Sequence, residues 1–214
     1  MLLRELKHRH VAYISPYHKS PWSIARMVGL QQAAGDFSTI HQCTYDQEGN
    51  IHRDHFEPSH AACNIAPLQG NYREWRKDIA QYFAKAIDPY FDFHLPERIL
   101  PWAHHQHAIR PLFEQALHHQ QITAWVCAND LLALWALAFL DEKGFQIPNN
   151  ISVIGFDDST DALRKGLTSY NFNMRALVNQ MLEYLINRRT ISPRKQRIEI
   201  EGMMIERATT AAPR

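Results

Sequence analysis

The sequence lacks the features that mark secreted scaffolds and membrane proteins. Its 214 residues contain three cysteines, Cys43, Cys63 and Cys127, and this odd, widely spaced set favours a reducing cytoplasm over a disulfide framework. No apolar run reaches the roughly 18–20 residues that span a bilayer, and the N-terminus MLLRELKHRH is charged too early for a signal peptide. We therefore expect a cytoplasmic protein with no membrane partner, in which Cys127 is buried in a strand as a small hydrophobic residue.

An excess of one charge is also lacking. The 23 basic and 22 acidic residues give a net charge of +1, so the composition indicates neither a nucleic-acid-binding face nor an acidic tail. Glycine-rich phosphate loops and the G-x-S-x-G motif do not occur. Thirteen histidines are present, and they include two groups, His104, His105 and His107, and His118 and His119. Only His104 and His107 have a useful helical spacing, and no carboxylate joins them at the usual intervals, so we expect solvated histidines, no metal and no cofactor.

The sequence does contain an alternation of strand-like and helical segments. The runs VAYIS, ITAWVCA and ISVIGF are apolar throughout, which is typical of strands buried on both faces of a parallel sheet. We predict an α/β fold, a parallel sheet flanked by helices on both faces. The predicted strands are 10–15, 37–45, 97–102, 122–128, 151–155 and 197–205, and the predicted helices are 21–34, 71–87, 107–118, 130–143 and 173–188.

Capping signals bound the first long helix of this pattern. Ser20 and Pro21 are residue types preferred at a helix start, and Gly35 is preferred just past a helix end. The apolar spacing within the helix predicts one buried face. The residues expected on that face are Ile24, Met27, Val28 and Gln31.

Two pairs of polar residues follow strands in the most informative stretch, 124–159. Asn129-Asp130 follows the run TAWVCA, and Asp157-Asp158 follows ISVIGF. Ligands of open parallel sheets bind at the carboxyl ends of strands, so these residues predict a binding site. Asn offers both a donor and an acceptor, and we assign Asn129 to a ligand and Asp130 to the helix N-cap. The alternative for Asp157 is a turn carboxylate that accepts backbone N–H groups.

The helix between those pairs is apolar on every side from Leu131 to Leu140. A helix with one face on a sheet and the other in water shows a polar stripe, and none occurs before Asp141. The outer face of this helix therefore needs a cover. Two covers remain open, a second copy of the chain or the segment Asp46–Pro96.

Several motifs, in order along the chain, resemble one protein family. The segments TAWVCANDLLALWAL, DEKGFQIPNNISVIGFDD, LTSYNFN and IERATT are similar to the ligand-binding module of lactose-repressor-type (LacI/GalR) transcription regulators, as is the upstream segment HRHVAYISPYHKSPWSIARMVGLQQA. The resemblance covers 122–210 and 8–34, and it is poor over 35–96. It implies a periplasmic-binding-protein-like fold of type I.

The resemblance also implies partners. Members of the family carry a DNA-binding head and two α/β subdomains that close on a small molecule, and they pair along the apolar helix. The expected partners are therefore a small-molecule effector, a sugar or similar polar metabolite, DNA only through a head absent from this chain, and a second copy of the chain. The residues implied at the dimer interface are Leu134, Trp135 and Ala138.

The resemblance further divides the chain into subdomains. Residues 1–166 and 191–214 would form the C-terminal ligand-binding subdomain, within which 36–96 is atypical. Residues 167–190 would be a crossover and a helix of a partly missing N-terminal subdomain. The chain would then be either a fragment or the product of a truncated gene.

Seven ligand contacts follow from the resemblance. Asp157 would accept hydrogen bonds from ligand hydroxyls, Asn129 would both donate and accept, and Arg26 would donate to hydroxyls or to a carboxylate. Flat aromatic rings stack on the apolar faces of sugars. The aromatic residues implied in this role are Trp102, Tyr17 and Trp22, and Phe172, after the crossover, is implied as a further ligand contact. The alternatives are a surface position for the arginine and core packing for the rings.

An enzyme is the second function that the residues allow. Asp130, Asp157 and Asp158 at strand ends could hold Mg²⁺ for phosphoryl transfer, as carboxylates do in other parallel α/β sheets. No aspartate is followed by the lysine or threonine pattern that such sites need. We therefore favour an effector sensor without enzymatic activity.

Overall fold

Strands and helices alternate along the chain as the apolar runs predict. The computed structural model describes residues 2–17, 20–44, 109–186 and 199–213. In chain order the elements of these residues are α1 (Leu2–Glu5), β1 (His10–Ser15), α2 (Pro21–Ala34), β2 (Thr39–Thr44), α3 (Arg110–His118), β3 (Ala124–Cys127), α4 (Asp130–Glu142), β4 (Ser152–Phe156), α5 (Thr160–Arg164), β5 (Thr168–Asn171), α6 (Met174–Ile186) and β6 (Met203–Ile205).

The six strands form one sheet in the order β2-β1-β3-β4-β5-β6. The pairs from β2 to β5 are parallel, whereas β6 runs antiparallel to β5. The predicted parallel sheet is confirmed, with an antiparallel edge strand added. The chain leaves β1 for β2 on one side and later returns to β3 on the other side. Such a reversal opens a crevice at the carboxyl ends of β1 and β3, and ligands of doubly wound sheets bind in that crevice.

Helices cover the two faces of the sheet. The connections β1-α2-β2 and β3-α4-β4 run across the sheet in opposite directions, so right-handed crossovers place α2 and α4 on opposite faces. On the α4 face, Trp125 of β3 is fully buried and stacks on Phe113 of α3, with 5.6 Å between ring centroids. Phe139 of α4 completes the cluster at 5.2 Å from Phe113. These rings form the centre of the core on this face.

The two described cysteines lie inside the sheet. Cys43 of β2 and Cys127 of β3 stand on either side of Ile14 in the strand register, and both thiols are free and buried. Burial raises the pKa of Cys43 to about 12, and it also raises the pKa of Cys127. The expectation that Cys127 acts as a buried hydrophobic residue is confirmed. Cys63 lies outside the described residues.

Helix α2 begins and ends where the capping signals predict, but its buried face is different. Ser20 is the N-cap residue, Pro21 starts the helix, and Gly35 ends it with a φ of 50°. Its buried residues are Ser23, Leu30 and Ala34, and Met27 packs partly against the core. The prediction that Ile24, Val28 and Gln31 are buried is therefore wrong, because all three are exposed.

A polar contact explains the rotation of α2. The Tyr13 hydroxyl of β1 donates to the Ser23 carbonyl at 2.9 Å, and the hydroxyls of Ser15 and Ser23 lie 2.7 Å apart. Buried polar groups need such partners, so the serine turns toward the sheet and the apolar Ile24 turns outward. Arg26 is three residues beyond Ser23 and therefore points along the same side of the helix.

The C-terminal segment after β6 is hydrogen-bonded to β4. The Val153 N–H donates to the Thr209 carbonyl at 2.8 Å, and the Thr209 hydroxyl donates to the Val153 carbonyl at 2.7 Å. Nearby, Nε2 of the buried His8 donates to the Ala211 carbonyl at 2.9 Å, while its Nδ1 faces the Thr123 hydroxyl at 2.8 Å. Burial lowers the pKa of His8, although the bond to Ala211 acts in the opposite direction.

The segment 167–190, predicted to belong to another subdomain, begins inside this sheet. Its residues 168–171 form β5, which pairs with β4 in parallel. The helix α6 that follows has no buried residue. The predicted division of the chain into subdomains stays a prediction.

Helix α6 presents a long apolar surface. The line of apolar residues predicted from its sequence is present, but its side chains are 38–59% exposed at Leu177, Met181, Leu182 and Leu185. With Ile200 these residues border an apolar cavity of about 260 Å³. The cavity is lined by Leu177, Gln180, Met181, Tyr184, Leu185 and Ile200, and it contains none of the predicted ligand contacts.

Some predicted elements lie outside the described residues. These are the helix 71–87, the strand 97–102 and the first part of the helix 107–118. Most of the atypical region 36–96 also falls there. Among the residues that the structure does describe, no helix is long and apolar enough to cross a membrane.

Candidate functional site

Arg26 joins three elements at the carboxyl edge of the sheet. Its guanidinium Nη1 donates to the Ala128 carbonyl, directly after β3, and its Nη2 contacts Oδ1 of Asp157, directly after β4, at 3.1 Å. The side chain of Arg26 is 18% exposed and that of Asp157 is 47% exposed. The arginine therefore lies in the crevice that the strand order predicts, with the carboxylate open to solvent beside it.

The backbone at Asp157 is unusual for a residue other than glycine. Its φ is 107°, in the left-handed region where L side chains are rare, and its N–H donates to the Tyr170 carbonyl of β5 at 3.0 Å. Burial raises the pKa of the Asp157 carboxyl above its ordinary value, and Asp130 adds to this effect, although the charge of Arg26 acts in the opposite direction. The carboxylate is thus aimed at the arginine by a strained backbone.

Aromatic rings surround the guanidinium of Arg26. The rings of Trp22, Phe156 and Phe172 have centroids 4.7, 5.0 and 4.8 Å from the guanidinium carbon. These distances are within the range of cation–π attraction. Tyr17 extends the group, with its ring 5.1 Å from that of Trp22. The site therefore combines one ion pair with flat, partly exposed apolar surfaces.

Asn129, and not Asp130, is the N-cap of α4. The Asn129 Oδ1 accepts from the Leu132 N–H at 2.9 Å, so Asn129 is the N-cap of α4. Asp130 is the first helical residue and is buried, and its two carboxylate oxygens accept from the Ser159 N–H at 2.7 Å and the Ser169 hydroxyl at 2.6 Å. The prediction of Asp130 as the cap is wrong, because an extended residue before the helix has the geometry for capping.

Asp158 has a different environment from its neighbour Asp157. Its carboxylate accepts from Arg207 Nη2 at 2.5 Å and from Asn171 Nδ2 at 2.8 Å. Burial opposes ionisation of Asp158, but the hydrogen bonds from Arg207 and Asn171 hold its pKa below the ordinary value. Since Asp130 and Asp158 already have protein donors, they are poorly suited to bind Mg²⁺. Within the described ranges, no group of three or more His, Cys, Asp or Glu residues is arranged to hold a metal ion.

Five of the predicted ligand contacts lie together. They are Tyr17, Trp22, Arg26, Asp157 and Phe172. Asn129 follows Ala128, whose carbonyl Arg26 binds, so the capping amide is next to this group. Trp102 lies outside the described residues, as do His104, His105 and His107. His118 is exposed, and its ring lies 5.9 Å from that of His119.

The sequence argument did not identify Phe156, Asn171 or Arg207. Phe156 is the last residue of β4, immediately before Asp157, and its ring stacks on Phe172 at 6.0 Å. A signal for Phe156 was present, because side chains at strand ends face the same edge as the polar residues that follow. Asn171 and Arg207 gave no signal of their own, since their contacts with Asp158 join segments that are 13 and 49 residues distant in sequence.

Comparison with protein families identifies the domain type. A family model described as a periplasmic binding protein-like domain matches residues 2–210. The chain belongs to the periplasmic binding protein-like domain family. The mostly parallel sheet, with its crevice at the strand ends, agrees with the fold of that family.

Transcriptional repressors are among the curated relatives of this periplasmic binding protein-like domain. The HTH-type transcriptional repressor PurR of Salmonella arizonae is 31% identical over 111 residues, which are 49% of this chain and 31% of that repressor. PurR of Salmonella newport matches with the same identity and coverage. The matched region is thus about a third of the length of these relatives. The predicted resemblance to LacI-type regulators is confirmed, since these matching relatives are transcriptional repressors.

Solved structures show the same fold. A sugar-binding LacI-family regulator from Escherichia coli complexed with phosphate has a TM-score of 0.57 and 19% identity, over 99% of this chain and 58% of its own. A dimeric Lac repressor with a C-terminal deletion has a TM-score of 0.56 and 19% identity, over 100% and 59%. The CelR–cellobiose complex has a TM-score of 0.53 and 20% identity, over 97% and 49%.

Proposed function

We propose that this domain is the effector sensor of a LacI-type transcription regulator, and that its effector is a sugar or similar small polar metabolite. The observation that supports the proposal is the Arg26–Asp157 pair, which lies at the carboxyl ends of β3 and β4 with aromatic rings around it. In this proposal the protein acts in the cytoplasm. DNA is bound by a separate head domain, and the effector shifts the population of DNA-binding states.

The chemistry of the pair suits a polyol. Arg26 has five N–H donors and spends two on Ala128 and Asp157, so donors remain for ligand oxygens. Asp157 can accept from two neighbouring hydroxyls, because each carboxylate oxygen has free lone pairs. The amide nitrogen of Asn129 can add a further donor, since its oxygen caps α4. Trp22, Tyr17 and Phe172 supply flat surfaces for the apolar face of a sugar ring.

A thermal-shift panel tests the ligand. The panel contains neutral mono- and disaccharides including cellobiose, purine bases, and sugar phosphates, each at millimolar concentration. A ligand at 100 times its Kd stabilises the folded state by about 2.7 kcal/mol, which raises Tm by several degrees. We expect a neutral sugar to raise Tm, and we expect Arg26→Gln and Asp157→Asn to remove that rise.

The control for this panel is Asp161→Asn. Asp161 forms an exposed ion pair with Arg164 in α5, four residues from Asp157, so its loss should leave the ligand-induced rise unchanged. A rise with purine bases alone would reassign the ligand class. A panel without any response, or a rise that survives both site variants, would contradict the proposed site.

Dimerisation is the second part of the proposal. Leu131 and Ala138 are exposed on α4, and Leu134 and Trp135 between them are half-buried. Their spacing of three and four residues makes one apolar stripe along the helix. A second copy of the chain covers this stripe in our proposal, which keeps Leu134, Trp135 and Ala138 as the interface residues.

Sedimentation of matched variants tests the interface. Ala138→Glu places a charge on the exposed stripe of α4, and Ala33→Glu places the same charge on the exposed surface of α2. We expect the wild-type chain and Ala33→Glu to sediment as dimers and Ala138→Glu to sediment as a monomer, because an unpaired charge buried in an apolar interface is costly. A wild-type monomer at high concentration would reject the dimer.

A further inference from the structure

The backbone that carries Asp157 is held by its neighbours. Asp157 and Asp158 have φ values of 107° and 50°, both in the left-handed region. Two consecutive residues other than glycine persist there only where surrounding contacts hold them. The contacts that do so are therefore part of what fixes the ligand-facing carboxylate.

Asp158 makes most of these contacts. Its Oδ1 accepts from Arg207 Nη2 at 2.5 Å and its Oδ2 accepts from Asn171 Nδ2 at 2.8 Å. Its own N–H donates to the Ser169 hydroxyl at 3.0 Å. The side chains of Asp158 and Arg207 are only 16% and 14% exposed, so this pair is screened by solvent much less than a surface pair.

Arg207 is itself anchored to the sheet. Its Nη1 donates to the Leu167 carbonyl at 2.7 Å, and its backbone N–H donates to the Thr168 hydroxyl at 2.9 Å. Both partners lie where β5 begins. The guanidinium therefore forms a rigid bracket between the start of β5 and the loop after β4, and its two donating nitrogens match this geometry in a way that a lysine cannot.

Asn171 extends the same network toward α6. Its Oδ1 accepts from the Asn173 N–H at 2.6 Å, and the Asn173 Oδ1 accepts from the Ala176 N–H at 3.3 Å in the first turn of α6. Asn173 is also left-handed, with a φ of 53°. One side chain, Asn171, thus bridges two strained turns.

We propose that Asp158, Arg207 and Asn171 are positioning residues, which hold the Asp157 carboxylate against Arg26 and connect it to the first turn of α6. The inference rests on the proposed function in one respect, the role of Asp157 as a ligand contact. None of the three positioning residues needs to touch the ligand. Loss of any of them releases the left-handed backbone and lets the Asp157 carboxylate turn away from Arg26.

Nuclear magnetic resonance of the unliganded full chain tests the positioning directly. The readouts are the titration of the Asp157 carboxyl carbon and the Nε–Hε signal of Arg26, which the surrounding rings shift from its usual position. In Asp158→Asn and Arg207→Gln we expect the Asp157 midpoint to fall toward that of an exposed aspartate and the Arg26 signal to move toward that of a solvated arginine. Arg207→Lys should fail to restore either readout.

A general loss of stability would not move these two signals. Arg110→Gln removes an ion pair between α3 and α4, remote in sequence from this network, and serves as the control that lowers stability without changing the Asp157 titration. Asn171→Ala tests the connection to α6, because the Ala176 N–H should then exchange faster with solvent. Asn171→Ala is also the substitute test variant if Asp158→Asn or Arg207→Gln does not fold.

Two results overturn the positioning role. One is an unchanged Asp157 midpoint and Arg26 signal in the folded Asp158 and Arg207 variants. The other is equal movement of both readouts in Arg110→Gln. Because these measurements use no ligand, they separate the inference from the proposed function, which fails instead if the sugar panel gives no response.

Discussion

Helices α4 and α6 have the same length and are both rich in apolar residues, yet they differ in their relation to the sheet. Each has 13 residues, and six residues of α4 are buried whereas none of α6 is. Helix α4 connects the adjacent parallel strands β3 and β4, so its crossover must pack on the sheet. Helix α6 follows β5, whose next partner β6 is antiparallel. Apolar content therefore does not bury a helix unless the topology gives it a surface.

The largest expected contrast comes from the same substitution in both helices. Leu132 of α4 is 1% exposed and Leu182 of α6 is 49% exposed. Leu132→Ala should lower the free energy of unfolding by about 2–5 kcal/mol, because it leaves a cavity in the core. Leu182→Ala should change it by about 0.5 kcal/mol, as surface substitutions do. Urea unfolding measures both, and equal losses would show that α6 is packed in solution.

The next largest effect on stability is expected at Gly155 of β4, which lies beneath the start of α4. An added Cβ at Gly155 of β4 would collide with the Asp130 carboxylate at the start of α4, whereas an added Cβ at Gly29 of α2 meets nothing within 4 Å. Gly155→Ala should cost about 1–3 kcal/mol by overpacking. Gly29→Ala should stabilise by about 0.5–1 kcal/mol, since alanine is the better helix former. A stable Gly155→Ala protein would mean that α4 does not seat against β4 in this way.

The N-cap of α4 tests its anchoring at one end. Asn129→Ala removes the bond to the Leu132 N–H and should lower the free energy of unfolding by about 1 kcal/mol. Asn129→Ser retains a capping oxygen and should recover most of that loss. Since Asn129 also borders the proposed ligand site, loss of the thermal-shift response in Asn129→Ser, with stability restored, would assign it a ligand contact as well.

The smallest expected effect is the pH dependence of stability that comes from His8. The pKa of His8 is lowered in the folded state, so the folded protein binds fewer protons than the unfolded chain at pH values just below 6.5. The contribution of His8 to the free energy of unfolding is therefore fully present above pH 6.5, and it is lost as the pH falls through the lowered pKa of the folded state. Urea unfolding at pH 7.5 and 5.5 should show a smaller pH dependence for His8→Gln than for the wild type, and identical dependences would contradict this role.

The sequence pattern was most reliable where one property decides the structure. The strand at 10–15 and the helix at 21–34 were predicted at the residues where they occur, because continuous apolar runs and cap residues are local signals. The position of Asp157 at the carboxyl edge followed from a general property of parallel sheets, whose strand ends meet at one edge. The family resemblance supplied Arg26 and the rings of Tyr17, Trp22 and Phe172, but not Phe156.

The predictions were wrong where polar contacts between residues distant in sequence decide the structure. Apolar spacing favoured burial of Ile24 and Val28, but the hydrogen bonds of Ser23 with Tyr13 rotate α2 and leave both exposed. Aspartate is a residue type preferred at helix N-caps, yet the Asp130 carboxylate is buried, where it accepts a hydrogen bond from Ser169, 39 residues later. Neither partner can be recognised from the sequence surrounding the residue it controls.

By itself, the sequence determined the alternation of strands and helices, the parallel sheet, and the positions of the polar residues that follow the strands. These depend on hydrophobic periodicity and on local backbone preferences, which neighbouring residues carry. Apart from the family resemblance, which named Asp157, only the tertiary structure decided which of the two adjacent aspartates faces the crevice. Asp158 turns inward because Arg207 and Asn171 meet it there, and Asp157 is left facing Arg26, since hydrogen bonds between remote segments form only when the chain has folded.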